Sequence, residues 1–126
     1  MIFSTNGAPL KIIEYLHDLY PEGTKMSNYH GSLPLHCACR VGVSLEVVEF
    51  LYDAYPEAIR MRNNFKRLPL HWACRTGASF DVVKFLVKMW PGSVNESDND
   101  AILPVDNARR SHGINSDIVL FLESLK

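Results

Sequence analysis

The stretch "LPLHCACRVGVSLEVVEFLYDAYPEAI", residues 33–59, returns 35 residues later as "LPLHWACRTGASFDVVKFLVKMWPGSV", residues 68–94. A third copy, "LPVDNARRSHGINSDIVLFLESLK", begins at Leu103 and carries one inserted residue near His112. Upstream, "GAPLKIIEYLHDLYPEGT" matches only the second half of a unit. A fixed period of this length is typical of repeat proteins that stack one small structural unit on the next.

Each unit has the pattern of two helices joined by a turn. The Pro at the second position of "LPLH" suits the first turn of a helix, where a missing N–H costs nothing. The glycines at 42 and 77 can end this helix in a left-handed conformation. In the second helix the charged residues fall on one face and the apolar residues on the other, as in Val47, Val48, Phe50 and Leu51. Pro56 and Pro91 then end the second helix.

These patterns predict an all-α solenoid of stacked helix–turn–helix units that forms a single domain over residues 1–126. The period divides the chain into a half repeat at 1–27, repeats at 28–62 and 63–97, and a last repeat at 98–126.

The motifs "LPLHCAC" and "LPLHWAC" resemble the ankyrin repeat, whose signature is T-P-L-H-x-A at a period near 33 residues. Asn28 with Gly31 is similar to the family's turn before the motif. The chain departs from the pattern in three ways. Leu replaces the capping Thr at positions 33, 68 and 103, the period is two residues longer, and Lys66 and Ala101 replace the turn glycine. The resemblance implies a non-enzymatic module that binds a protein or peptide on a concave groove and on its turn tips.

The net charge, the hydropathy pattern and the number of cysteines indicate which kinds of partner and which cellular compartment to expect. The chain has 126 residues and a formal net charge of −1, which gives no general reason to expect nucleic acid or a membrane as partner. No run approaches the ~18 apolar residues that span a bilayer. Three cysteines do not make a disulfide framework, so we expect an intracellular protein, cytoplasmic or nuclear.

The His and Cys residues of the motif raise the alternative of a metal- or redox-responsive protein. The resemblance implies instead that His36 and His71 hydrogen-bond to neighbouring backbone, with Asp106 in the equivalent place. Cys39 and Cys74 occupy the small-residue position, where a buried thiol acts as a small hydrophobe. Stacked helices lie ~8–10 Å apart, farther than a disulfide bridges. We therefore expect no metal, no cofactor and no enzymatic activity.

The contact surface is expected at the turn tips and at the variable position of the motif. That position holds Cys37, Trp72 and Asn107, and a large amphipathic Trp is a typical interface anchor. The alternative is that Trp72 only packs on the next unit. The predicted contact residues are Tyr29, His30, Cys37, Arg40, Phe65, Lys66, Arg67, Trp72 and Arg75.

Two further features of this surface allow both a functional and a structural interpretation. Arg40, Arg75 and Arg110 form a ladder that either recognises an acidic peptide or only stabilises helix C-termini. The third turn, with Asp98 and Asp100, is expected to give the tips an acidic end, unless all the tips are merely solvated turns.

The ends of the repeat array suggest two more hypotheses. Terminal repeats normally present a polar outer side, but Leu120 stands where earlier units keep a charge. Either the chain is a targeting or regulatory segment of a larger enzyme or channel, or its uncapped ends self-associate.

Overall fold

A computed structural model of the protein describes residues 10–76, 78–113 and 116–125. Within these ranges the chain forms seven α-helices and three short 3₁₀-helices. The α-helices are α1 (Leu10–Leu19), α2 (Pro34–Val41), α3 (Leu45–Ala54), α4 (Pro69–Thr76), α5 (Phe80–Met89), α6 (Pro104–His112) and α7 (Asp117–Ser124). The predicted all-α repeat architecture is confirmed.

The helices begin and end where the local chemistry requires it. Leu33 is extended and Pro34 opens α2, whereas Gly42 adopts φ 75° just after the helix, a left-handed conformation that costs glycine little. The corresponding prediction for Gly77 lies outside the described residues. In the second helix of the next unit, the Ser79 side chain accepts a hydrogen bond from the Val82 N–H at 3.4 Å and caps α5.

A 3₁₀-helix follows the second helix in each of the first three units. As predicted, α3 and α5 end just before Pro56 and Pro91, but the chain then continues as 3₁₀-helices at Pro56–Arg60 and Pro91–Asn95. Pro21–Lys25 is the equivalent element of the first unit. The fixed φ of proline suits the first residue of such a turn.

The helices pack in two layers. One layer consists of α2, α4 and α6, which contact one another closely, and the other consists of α1, α3, α5 and α7. The core lies between them and contains the buried Leu35, Leu70, Val48, Val83 and Leu86. Edge-to-face aromatic pairs join successive helices of the second layer, with ring centroids 5.5 Å apart for Tyr52 and Phe85. No helix of the described chain combines the length and apolar character needed to cross a bilayer.

The turn before each first-layer helix is held by one side chain. The Oδ1 atom of Asn28 accepts backbone hydrogen bonds from residues 30 and 32, and Asn63 and Asp98 do the same 35 and 70 residues later. Neighbouring turns are also joined to each other, because the Asn64 N–H donates to the His30 carbonyl at 2.8 Å and the Asn99 N–H donates to the Phe65 carbonyl at 3.0 Å. The turn tips therefore form a continuous hydrogen-bonded edge.

The motif histidines hydrogen-bond to neighbouring backbone, as the resemblance implied, and join the start of each repeat to its end, just before the next turn. His36 Nδ1 accepts the Leu33 N–H at 3.0 Å, so the ring proton is on Nε2, which donates to the Met61 carbonyl at 2.8 Å. His71 makes the equivalent bonds to Leu68 and Glu96. The first bond is one half of a capping box, in which the side chain at the third helical position satisfies the N–H of the capping residue. The other half needs a side-chain oxygen at the capping position, which Leu33 lacks.

Asp106 takes the place of this histidine in the last repeat. Its Oδ2 atom accepts the Leu103 N–H at 3.1 Å, as expected. An ionised carboxylate has no proton to donate. It therefore reproduces the first histidine bond and cannot reproduce the second.

The residues that replace the turn glycine are in a strained backbone conformation. Gly31 has φ 72°, and Lys66 and Ala101 adopt similar values of 57° and 61°. A left-handed conformation costs a non-glycine residue ~1–2 kcal/mol, part of which is offset by the greater unfolded-state freedom of glycine. We expect Lys66→Gly to raise the free energy of unfolding by about 1 kcal/mol in urea denaturation.

Two further variants separate backbone strain from loss of the lysine side chain. Lys66→Ala keeps the strain and is expected to leave stability nearly unchanged. Gly31→Ala is expected to destabilise the protein by about 2 kcal/mol, because a Cβ atom there would lie 2.5 Å from Asn64 Oδ1. Equal stability of the glycine and alanine variants at position 66 would show that strain at this turn is negligible.

Candidate partner-binding surface

The predicted contact residues lie on one side of the molecule, here called the inner face, which consists of α2, α4, α6 and the turns before them. Tyr29 is almost fully exposed, with 99% of its surface accessible, and Phe65 is 44% exposed. His30, Lys66, Arg40 and Arg75 are also exposed, whereas Cys37, Arg67 and Trp72 are half-buried. The inner face therefore presents aromatic and basic side chains that are exposed or half-buried.

A hollow of about 160 Å³ lies on this face between the first two turns and the helices that follow them. Five predicted residues line it: His30, Cys37, Arg40, Phe65 and Trp72. The other lining residues are Asn28, Ser32, His36 and Asn63. The hollow is explained by the variable position of the motif, since a small Cys37 in one repeat faces the space beside the large Trp72 of the next.

Trp72 lies at the centre of an arginine cluster. The guanidinium carbons of Arg40 and Arg75 are each 5.7 Å from its ring centroid, and that of Arg67 is 5.0 Å away. Such contacts are attractive because the face of an indole ring is electron-rich. The ring also packs against the core, so Trp72 has a structural role, and its role as a partner contact stays a prediction.

One of these arginines is already engaged. Arg67 Nε lies 3.6 Å from Asp98 Oδ2, and both side chains are largely buried. Arg40 and Arg75, by contrast, have no carboxylate partner within residues 10–76, 78–113 and 116–125. The arginine ladder thus supplies two unpaired positive charges beside Trp72.

Two expectations about exposed positions are wrong. Asp98 is only 7% exposed, because its carboxylate accepts the backbone bonds of its own turn and contacts Arg67. Of the third turn, only Asp100 remains available as an acidic tip. Asn107, expected to face the groove beside Cys37 and Trp72, is 5% exposed and buried in the stack.

The His and Cys residues of the motif have little freedom to do chemistry. Burial lowers the pKa of His36 to about 4, and both of its ring nitrogens are hydrogen-bonded. Burial also raises the pKa of Cys39, and raises that of Cys74 to about 12, which disfavours the reactive thiolate. All three cysteines are unpaired, and the described part of the chain contains no group of three His, Cys, Asp or Glu residues placed to hold a metal ion.

Sequence reasoning missed Arg62, which stabilises two turns at once. Its Nη1 atom donates to the carbonyls of Lys66 and Ser97, both at 2.8 Å, and its Nη2 atom donates to the Glu96 carboxylate at 2.8 Å. Arg62 has no counterpart of the same type in the other units, so the period carried no signal for it. Asn63 was also missed, although its equivalence to Asn28 and Asp98 at the repeat spacing could have identified it.

The comparison with known families agrees with this structure. The sequence model of ankyrin repeats, in three copies, matches residues 1–103. The chain belongs to the ankyrin-repeat family. Members are generally protein–protein interaction modules and are typically non-catalytic. No curated protein gives a significant match to the chain.

Proposed function

We propose that the chain is a binding module for a partner protein, and that the contact centres on the hollow beside Trp72. The observation that carries the proposal is that five of the nine predicted contact residues line one hollow. Tyr29 and Lys66, both exposed, are the sequence neighbours of the lining residues His30 and Phe65, and the exposed Arg75 contacts the Trp72 ring. A half-buried aromatic ring at the centre with exposed polar groups around it is the usual arrangement of an interface hot spot.

The size of the hollow indicates what it receives. Pockets for whole small-molecule ligands usually measure ~300–1,000 Å³, whereas a cavity of ~150 Å³ holds a single benzene ring. At about 160 Å³, the hollow fits one side chain of a partner rather than a cofactor or a metabolite. The proposed role is therefore recognition of a protein segment without chemical conversion.

Other parts of the proposal follow from the repeat pattern. We infer a single domain over 1–126 with the unit boundaries given above, and a place inside the cell. Self-association stays a prediction, supported by the exposed apolar residues of α1, namely Ile12, Tyr15 and Leu19, and by Leu120 and Leu125 near α7.

We expect Trp72→Ala to weaken binding of peptides selected on the wild-type protein by at least about tenfold. The peptides come from a random phage-displayed library, and their dissociation constants are measured by isothermal titration calorimetry. The physical reason is that truncation removes both the apolar wall of the hollow and the ring that positions three guanidinium groups.

Trp90→Ala is the matched control for this variant. Trp90 is also half-buried and has a guanidinium, that of Arg60, 4.8 Å from its ring centroid, but it does not line the hollow. Both variants should lose some thermal stability, and only Trp72→Ala should lose binding at a temperature where both are folded. The proposal is overturned if no selected peptide depends on Trp72, or if the two variants bind equally well.

A further inference from the structure

Charge is distributed unevenly between the two layers of the fold. Helix α2 has one charged residue, Arg40, and α4 has one, Arg75. Neither helix contains a carboxylate. The second-layer helix α3, in contrast, carries Glu46, Glu49 and Asp53. A protein with a net charge of −1 therefore concentrates positive charge on its inner face.

The cluster around Trp72 gathers three guanidinium groups at one ring. Among the residues that the structure describes, Arg67 alone of the three has a carboxylate partner. Arg40 and Arg75 are each 5.7 Å from the ring centroid, so they lie within about twice that distance of each other. Like charges repel one another, the more strongly the shorter the distance between them. An anionic ligand placed between them would relieve the repulsion and gain charge-assisted hydrogen bonds.

The upper limit on the distance between the Arg40 and Arg75 guanidinium groups indicates how far apart the charges of such a ligand can be. In an extended peptide, side chains two residues apart lie on the same face and are separated by roughly 6.6 Å. Because each glutamate side chain adds its own reach to this spacing, two carboxylates can span a guanidinium separation up to the limit of about twice 5.7 Å. The hollow beside Arg40 leaves room for one side chain of the same segment against Cys37 and Phe65.

We propose that the partner segment is an extended acidic peptide, with two carboxylate side chains two residues apart that contact Arg40 and Arg75. This inference rests on the proposed function and specifies its partner. The contact to Arg40 places the peptide at the hollow, and the contact to Arg75 aligns it across the face of Trp72.

The test uses the full chain and a defined probe. The probe is a fluorescein-labelled nine-residue peptide with a C-terminal amide and two glutamates two residues apart, in a background of alanine, serine and valine. Fluorescence anisotropy gives its dissociation constant. A second peptide with glutamine in place of both glutamates should bind at least about tenfold more weakly, since it keeps the shape and loses the charge.

Variants of the protein locate the contact. Arg40→Gln and Arg75→Gln should each weaken binding of the acidic peptide by about fivefold or more, and affinity should fall as NaCl rises from about 50 to about 300 mM. Arg110→Gln is the matched control, because Arg110 occupies the same repeat position without a neighbouring Trp; it should change affinity less than twofold. Cys37→Phe leaves the arginines unchanged and fills the hollow, so it should also reduce binding.

The outcomes distinguish this inference from the proposed function. If library-selected peptides depend on Trp72 but not on Arg40 or Arg75, and are not enriched in acidic residues, the binding module stands and the acidic partner is wrong. Equal binding of the glutamate and glutamine peptides overturns the inference in the same way. Binding of a single-stranded oligonucleotide as tightly as the acidic peptide, with the same sensitivity to both arginine variants, would replace the peptide with a polyanion.

Discussion

Replacement of His36 with alanine is expected to lower the free energy of unfolding by about 3–4 kcal/mol. The ring is fully buried and joins the Leu33 N–H at the start of its repeat to the Met61 carbonyl at the end of the same repeat. Alanine leaves both backbone groups without their partner, at a cost of ~1–3 kcal/mol for each buried group, and creates a cavity in addition. Urea denaturation followed by circular dichroism measures the change.

Two companion variants show whether the position or the residue type matters. His71→Ala should cause a loss of similar size, since His71 makes the equivalent bonds to Leu68 and Glu96. His30→Ala removes an exposed histidine and should change stability by no more than about 0.5 kcal/mol. A loss below about 1 kcal/mol for His36→Ala would contradict the bridging role.

Acidification is expected to destabilise the protein by roughly 3 kcal/mol through His36 alone. Burial lowers the pKa of this ring from 6.5 to about 4 in the folded state, and the bonds to neighbouring backbone only partly oppose the shift. Between these values the unfolded chain binds more protons than the folded one. The contribution to stability is therefore complete above pH 6.5 and is lost as the pH falls towards 4.

His71 adds to this loss in the same direction. Burial lowers its pKa as well, although the nearby Asp98 carboxylate opposes the shift. Urea denaturation at pH 7.5, 6.5, 5.5 and 4.5 gives the profile, and these pH values cover most of the range in which the unfolded chain binds more protons than the folded one.

The variant His36→Gln isolates the titration from the loss of hydrogen bonds. Glutamine has no titrating proton, so the stability difference between wild type and variant should narrow as the pH falls. Parallel pH profiles of the two proteins would falsify the assignment of this linkage to His36.

The repeated features of the fold could be predicted from the sequence because each of them recurs every 35 residues. Pro34 and His36 each have a defined stereochemical role, and their counterparts Pro69 and His71 repeat that role in the next unit. The 3₁₀-helices were not predicted, although Pro56 and Pro91 marked their first residues. A short 3₁₀ segment has no hydrophobic periodicity of its own, so only the breaking of the preceding helix was visible.

The binding surface could be predicted only in part, because it depends on differences between repeats. The period identifies position 72 as variable, but the hollow arises from the pairing of a small Cys37 with a large Trp72 in adjacent units. Whether a charged side chain forms an ion pair also depends on which side chains the fold places beside it. Arg67 and Asp98 both looked exposed in the sequence and instead pair with each other, whereas Arg40 and Arg75 turn towards the same indole ring.

The continuous edge of turn tips has a consequence for the entropy of recognition. Residues such as Phe65 and His30 lie on loops, yet their backbones are held by the N–H of the next turn and by Asn28 or Asn63 within their own. Ordering a loop at an interface normally reduces affinity by ~0.5–1.5 kcal/mol for each immobilised side chain, besides the cost to the backbone. Here the backbone of the turns is already ordered in the folded protein, so binding does not require the loss of its conformational entropy. The tips can vary in sequence from repeat to repeat and still be preorganised for binding.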